Sequence, residues 1–445
     1  MHDLHPPADR CSGPLNTGLS NSNSKNRSTA KCPVSKKIKN KLDSDCGVAD
    51  RVSRWPARSS DHGSIPRRLR GRGNRSEQIR RRVPVAGQRR KPSAKRIIQG
   101  RNVMKNQLIA GVLGAGLALS AATAADAETV LRYSNWLPAG HVIHTDAVAP
   151  WIADVERVTE GRVRVEVTPK VVGSVAGQYD VAVDGLADIV FLIQGYTPGR
   201  FVLNNIIELP FMSSQPEATS VAFWRVFDRD LKQYGEFKGV HVLSLFTASA
   251  SNIATTAKQV TAVDDLKGLK MRNPLASFTP AVEAMGAIPV NKPISQIYEL
   301  ATSGVVDGGY IPLDSMESFK LYDALPYTTL VPGGLFSPSL AFVINRDSWA
   351  DIDAADRAAI MAVSGEQFAR RVGAGYARTD AAALAKMQAR DDMHVITADD
   401  AMMTDLKGRL SGIEGDWIAQ AKKAGMKDPE AVLARLRADL ASLEK

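Results

Sequence analysis

Residues 104–128 read MKNQLIAGVLGAGLALSAATAADAE and divide the chain in two. A lysine opens the segment, an apolar run extends from Leu108 to Ala122, and Ala125-Asp126-Ala127 follows. That order is the signature of an export signal: basic start, apolar middle, small-x-small cleavage site. The run is short and rich in Gly and Ala, which argues against a membrane span. Met104 is therefore the expected start, and the expected mature chain begins near Glu128 and works outside the cytoplasm. The fold has to be built from the residues after that point.

Whole-chain charge misleads for the same reason. The formal net charge is +10, from 57 Lys+Arg and 47 Asp+Glu. Before Met104 lie 25 of the basic and 7 of the acidic residues, leaving 32 basic against 40 acidic after it. Cys11, Cys32 and Cys46 also precede Met104, so the expected mature chain has no thiol for disulfides, zinc ligation or nucleophilic attack. An acidic, cysteine-free, exported chain is not a nucleic-acid binder. Residues 1–103 carry basic runs such as Arg80-Arg81-Arg82 and no sustained apolar periodicity. They read as a leader that is untranslated or disordered; a basic arm for nucleic acid or an anionic membrane is the alternative.

After Glu128 the pattern alternates. Val130 to Tyr133 reads as a strand and Val142 to Val158 as a helix with an apolar stripe. Glu160-Gly161 stops it, and Val163, Val165 and Val167 alternate as a second strand. A short helix over 178–185 leads into the apolar run Asp188 to Ile193, suited to a buried strand. Such βαβα order argues for a largely parallel sheet. A second alternating block follows Ala257, and Leu340 to Ile344 reads as a long return strand. Residues 354–393 are Ala-rich, interrupted by Gly365, Gly373 and Gly375; they predict one long bent helix or two abutting ones.

Enzyme motifs do not stand out: no phosphate-binding Gly-rich loop and no G-x-S-x-G elbow. His141 and His144 lie three apart without the intervening Glu of a zincin, so no metal and no cofactor are expected. More informative is the stretch Asp265 to Pro274, in which a turn feeds a short strand that ends at Arg272. Ligands of open α/β sheets bind beyond the carboxyl ends of strands. An arginine there offers a planar fork matched to a carboxylate; pairing with a structural acid is the plainer alternative.

The residues from Leu131 onward resemble the substrate-binding proteins of tripartite ATP-independent periplasmic (TRAP) transporters, the C4-dicarboxylate-binding family. The resemblance rests on an ordered set: Arg132-Tyr-Ser-Asn-Trp136, Thr159-Glu-Gly161-Arg-Val163, Val183-Asp-Gly-Leu-Ala-Asp188, Leu209-Pro-Phe-Met212, Asp265-Leu-Lys-Gly268-Leu-Lys-Met-Arg272, Gly304-Val-Val-Asp-Gly308 and Val343-Ile-Asn345. It implies a two-lobed α/β periplasmic binding protein, type II-like, with crossing hinge strands and a long bent C-terminal helix. It also implies domain I at 128–249 plus 338–376 and domain II at 250–337 plus 377–445. An organic acid held in the cleft would pass to TRAP permease subunits, with Arg272 as the carboxylate-binding residue and a monomer as the working form. An enzyme acting on a carboxylate on the same scaffold is the alternative.

One departure bears on the ligand. Many members carry an asparagine where this chain has Ile311, in Gly309-Tyr310-Ile311-Pro312, and Ile311 has no polar side-chain atom. That points away from a C4-dicarboxylate. Beside the expected cleft lie Trp136, His141, Gln194, Tyr196, Phe201, Asn252, Phe278, Tyr310 and Phe336. Trp136, Asn252 and Tyr310 are the strongest candidates beside Arg272, followed by Gln194, His141, Phe278 and Tyr196. Aromatic walls with few polar groups suit an acid with an apolar or aromatic body. Trp151 and Phe191 read as ordinary core from their periodicity.

Overall fold

The computed structural model describes residues 128–445. The expected leader (1–103) and export signal (104–127) lie outside the described residues.

Among the described residues eleven strands form two sheets: β1 Thr129–Ser134, β2 Val163–Val167, β3 Ile189–Ile193, β4 Val240–Thr247, β5 Ser251–Thr255, β6 Lys270–Asn273, β7 Ile288–Asn291, β8 Gly308–Pro312, β9 Tyr327–Leu330, β10 Ser339–Asn345 and β11 His394–Thr397. The first sheet has the order β2-β1-β3-β10-β4, the second β11-β9-β5-β8-β6-β7. Within the first, β10 runs antiparallel to β3 and β4; within the second, β5 runs antiparallel to β8 and β9. These reversed strands are the ones that arrive from the other sheet. β4 leaves the first sheet, crosses at 248–250 and becomes β5; β9 leaves the second, crosses at 331–338 and becomes β10. A strand entering from the opposite lobe approaches from the ligand end, so it must run against its neighbours.

The crossing segments are bonded to each other. The Ala248 amide donates to the Pro338 carbonyl (3.0 Å), Ser251 to Phe336 (2.8 Å) and Leu335 back to Ser251 (3.1 Å). Gly334, at φ +72°, makes the approach possible: a Cβ there would sit 2.3 Å from the Ala250 Cβ.

β3 (IVFLI) and β10 (SLAFVIN) are buried along their whole length, as expected for central strands covered on both faces. Against them Trp151 packs edge-on to Phe342 (4.9 Å), and Phe342 stacks on Phe368 (4.8 Å). Trp151 also donates its indole N–H to Ser364 Oγ at 2.9 Å. Phe191 is 1% exposed and stacks between Trp136 and Phe246.

The Ala-rich stretch forms two abutting helices, Ala354–Ala362 and Gly365–Gln388, broken at Val363-Ser364. Gly373 and Gly375, expected to interrupt the helix, lie inside it. Their role is close packing: a Cβ at Gly373 would lie 2.4 Å from Glu217 Cα, and one at Gly375 2.6 Å from Val142 Cγ2.

A second correction concerns the C-terminus, all of which (377–445) was expected in the second lobe. The Asp400–Arg409 helix does pack there, with Arg409 on Asp264 at 2.7 Å. Helices Ile413–Lys423 and Pro429–Leu443 return to the first lobe, where Trp417, Leu433, Leu436 and Leu440 share a core with Phe201, Phe223 and Val190. Helix Pro429–Leu443 packs on helix Pro216–Val226, and Arg435 pairs with Asp230 at 2.7 Å.

Candidate functional site

A cavity with about 430 Å³ of atom-free space lies where the carboxyl ends of the two sheets meet. The first lobe contributes Trp136, His141, Phe191, Tyr196 and Leu340; the second contributes Arg272, Ile294, Ser315 and Phe319. Ala248 and Pro338 come from the crossing segments and Tyr376 from the long helix. The wall is mostly apolar, as in sites for small organic ligands. A larger concavity of about 820 Å³, around Trp224, Glu236 and His241, is lined by first-lobe residues alone. Lobe closure cannot select an occupant there.

Arg272, on β6, is the only cationic side chain lining the cavity among the described residues. It is 1% exposed. Its Nε donates to the Lys292 carbonyl at 2.8 Å, Nη1 to the Tyr310 carbonyl at 3.4 Å and Nη2 to the Tyr196 hydroxyl at 3.4 Å. Tyr196 Oη also accepts from the Ile294 amide at 2.8 Å, so this first-lobe residue docks on the second lobe beside the guanidinium. Burial pushes the pKa of Arg272 below its usual value, and no described carboxylate pairs with it. A buried, uncompensated charge is expensive. Its three neutral acceptors orient the fork and leave its charge for an anion from outside.

A second polar group, His141, lines the same cavity. His141 is buried, and its Nδ1 accepts from the Ile143 amide at 3.2 Å. The neutral ring therefore carries its proton on Nε2. Burial, then His144, pushes its pKa down to about 4. Nε2 lies 3.7 Å from Oδ2 of Asp314 in the second lobe. The Asp314 amide donates to Asp380 Oδ1 at 2.9 Å, so two buried acids adjoin. Burial, then Asp380, holds the Asp314 carboxyl well above the usual range; burial holds Asp380 up to about 6.

These shifts have a sign. A carboxyl with a raised folded pKa binds its proton more tightly folded than unfolded, so it costs nothing below its unfolded value and a full penalty above its folded one. The Asp380 penalty develops between about pH 4 and about pH 6. Asp380→Asn keeps an oxygen for the Asp314 amide and removes the charge. It is expected to raise the melting temperature by a few degrees at pH 8 and to change it little at pH 4, read by thermal denaturation at both values. An equal change at both would separate Asp380 from the pH dependence.

Of the eight sequence candidates, Trp136, His141, Tyr196 and Arg272 line the cavity. Trp136 turns its ring to the wall and spends its N–H on the Phe191 carbonyl at 3.0 Å. The other four side chains do not line it. Asn252 accepts from the Val331 amide (2.9 Å) and donates to the Ala250 carbonyl (3.3 Å), fastening the crossing strands. Phe278 and Tyr310 are buried in one aromatic cluster with Phe336, Phe278 lying 4.2 Å from Phe336; only the Tyr310 carbonyl serves the site. Gln194 is buried, with neither amide atom partnered. Phe191, expected as core alone, is core on one side and cavity wall on the other.

Sequence reasoning missed Ser315, Phe319, Tyr376 and the adjoining Asp314. Three of these depend on helix Leu313–Ser318, whose six residues are too few to show a period.

Residues 133–410 match the model of the family described as bacterial extracellular solute-binding protein, family 7. A TRAP periplasmic solute-binding protein from Bordetella bronchiseptica, solved with bound (R)- and (S)-mandelate, is 35% identical, with a TM-score of 0.69 over 71% of this chain and 99% of that one. Another, from an unidentified marine microbe, is described as specific for aromatic acid ligands and was solved with 3-hydroxybenzoate. It is 28% identical, with a TM-score of 0.67 over 72% of this chain and 100% of that one. A Comamonas testosteroni protein called outer membrane transporter protein TsaT is 29% identical over 318 residues, 71% of this chain and 93% of that protein. With this fold, this interlobe cavity and these likenesses, the chain belongs to family 7 of the bacterial extracellular solute-binding proteins, the solute-binding subunits of TRAP transporters.

Proposed function

We propose that this protein captures an aromatic or aryl-aliphatic monocarboxylate between its lobes and delivers it to a TRAP permease. One observation carries the reading: a buried guanidinium with no carboxylate partner among the described residues, set in an aromatic wall. The ligand carboxylate supplies the missing charge, and its body replaces water against Trp136, Phe191 and Phe319. A second carboxylate on the ligand would find no second cation among the residues lining the cavity. The apolar Ile311 and the aromatic acids bound by the two relatives point the same way. Binding across both lobes stabilises the closed form by its differential affinity. The protein acts as a monomer, is exported through residues 104–127 and performs no chemistry on its cargo.

Thermal denaturation of residues 128–445 with a panel of acids tests this. Aromatic monoacids are expected to raise the melting temperature, and C4-dicarboxylates to leave it unchanged, because a ligand that binds only the folded state stabilises it by linkage. A shift with dicarboxylates alone would overturn the proposal. Consumption of a bound acid on incubation would favour an enzyme.

A further inference from the structure

The polar pair His141 and Asp314 has no assigned partner. His141 comes from the segment after β1 in the first lobe and Asp314 from the helix after β8 in the second. Their facing atoms, Nε2 and Oδ2, are 3.7 Å apart, too far for a direct hydrogen bond. Asp314 Oδ2 is buried and has no hydrogen-bond partner at all. A buried acceptor left unmade is costly and demands an explanation. His141 cannot rotate away to find another partner, because its Nδ1 is held by the Ile143 amide. Its ring is further boxed edge-on by Phe319 (5.9 Å) and Tyr376 (6.2 Å), both in the cavity wall.

Accordingly, and resting on the reading of the cleft as a carboxylate site, we infer that His141 and Asp314 form a second subsite that selects acids bearing a hydroxyl group on their body. A hydroxyl is the group that fits this gap. It donates one proton, to Oδ2, and accepts through a lone pair, from Nε2–H. An oxygen about 2.8 Å from each atom would bridge a 3.7 Å separation. A charged amine or a methyl does not: the first has no lone pair to take the Nε2 proton, and the second satisfies neither atom. Because the two atoms belong to different lobes, the hydroxyl would add a bond that exists only in the closed form.

Calorimetric titration of residues 128–445 with matched pairs tests this: benzoate against 3- and 4-hydroxybenzoate, and phenylacetate against mandelate and 3-hydroxyphenylacetate. At least one hydroxylated acid is expected to bind about tenfold or more tightly than its parent. In Asp314→Leu that ratio should collapse toward one; in Asp314→Asn, which keeps an oxygen facing Nε2, it should be partly retained. A change that moved both members of a pair equally would mark Asp314 as merely structural and overturn the inference. So would equal affinities within every pair in the unaltered protein, a result that needs no variant. Failure of every acid in the panel to bind would overturn the carboxylate reading as well; binding without discrimination overturns the hydroxyl subsite alone.

Discussion

Replacing Arg272 with methionine should weaken binding of the acid about a hundredfold or more and, without ligand, raise the melting temperature. Both effects have one cause. The guanidinium is 1% exposed, and its three acceptors are two backbone carbonyls and a tyrosine hydroxyl. None neutralises its charge. Removing one partner of a buried, hydrogen-bonded charge pair costs about 2–5 kcal/mol of affinity. In the ligand-free protein that partner is absent, so an apolar side chain of similar length relieves a desolvation penalty. Calorimetry and thermal denaturation of the same sample read the two effects. Near-normal affinity would show that Arg272 is not the carboxylate site. Lost affinity with an equally large drop in melting temperature would show that the residue mainly supports the fold.

Gly373→Ala should lower the melting temperature by several degrees and weaken binding too. The added Cβ would approach Glu217 Cα at 2.4 Å, the Pro216 carbonyl oxygen at 2.7 Å and the Glu217 nitrogen at 2.8 Å. All are backbone atoms and cannot swing aside. Alanine gains about 1 kcal/mol over glycine in a helix interior, but overpacking of this kind costs about 3 kcal/mol. The clash wins, and the Gly365–Gln388 helix must lift off Pro216–Val226. Tyr376, three residues on, lines the cavity and would move with it. An unchanged melting temperature would mean that the two helices have slack.

The contrast between these residues shows where sequence reading succeeds. β3 and β10 announce themselves, because a strand covered on both faces must be apolar throughout. The strands SNIAT (β5), YTTL (β9) and HVIT (β11) do not: four or five residues with polar members are held by neighbours distant in the chain. Arg272 was legible because an arginine closing a strand has a chemical meaning before any contact is known. Asp314 was not. After Pro312-Leu313 it reads as a helix-start acid, and its position facing His141 exists only once residues 173 apart in sequence are brought together. Nor could alternation tell which aromatic faced the cavity: Tyr310 and Phe278 turned into the core, while Phe191 serves both sides.

The return of helices Ile413–Lys423 and Pro429–Leu443 to the first lobe sets the order in which the molecule can assemble. Phe201 and Phe223 are buried partly by Trp417, Leu436 and Leu440, some two hundred residues downstream. Until that last stretch is delivered, the N-terminal lobe exposes an apolar face and cannot reach its full stability. Contacts of such sequence separation slow folding, because the chain loses its freedom before the contacts reward it. On the proposed route of export, a chain threaded from its N-terminus would complete its first lobe only once its final helix has emerged.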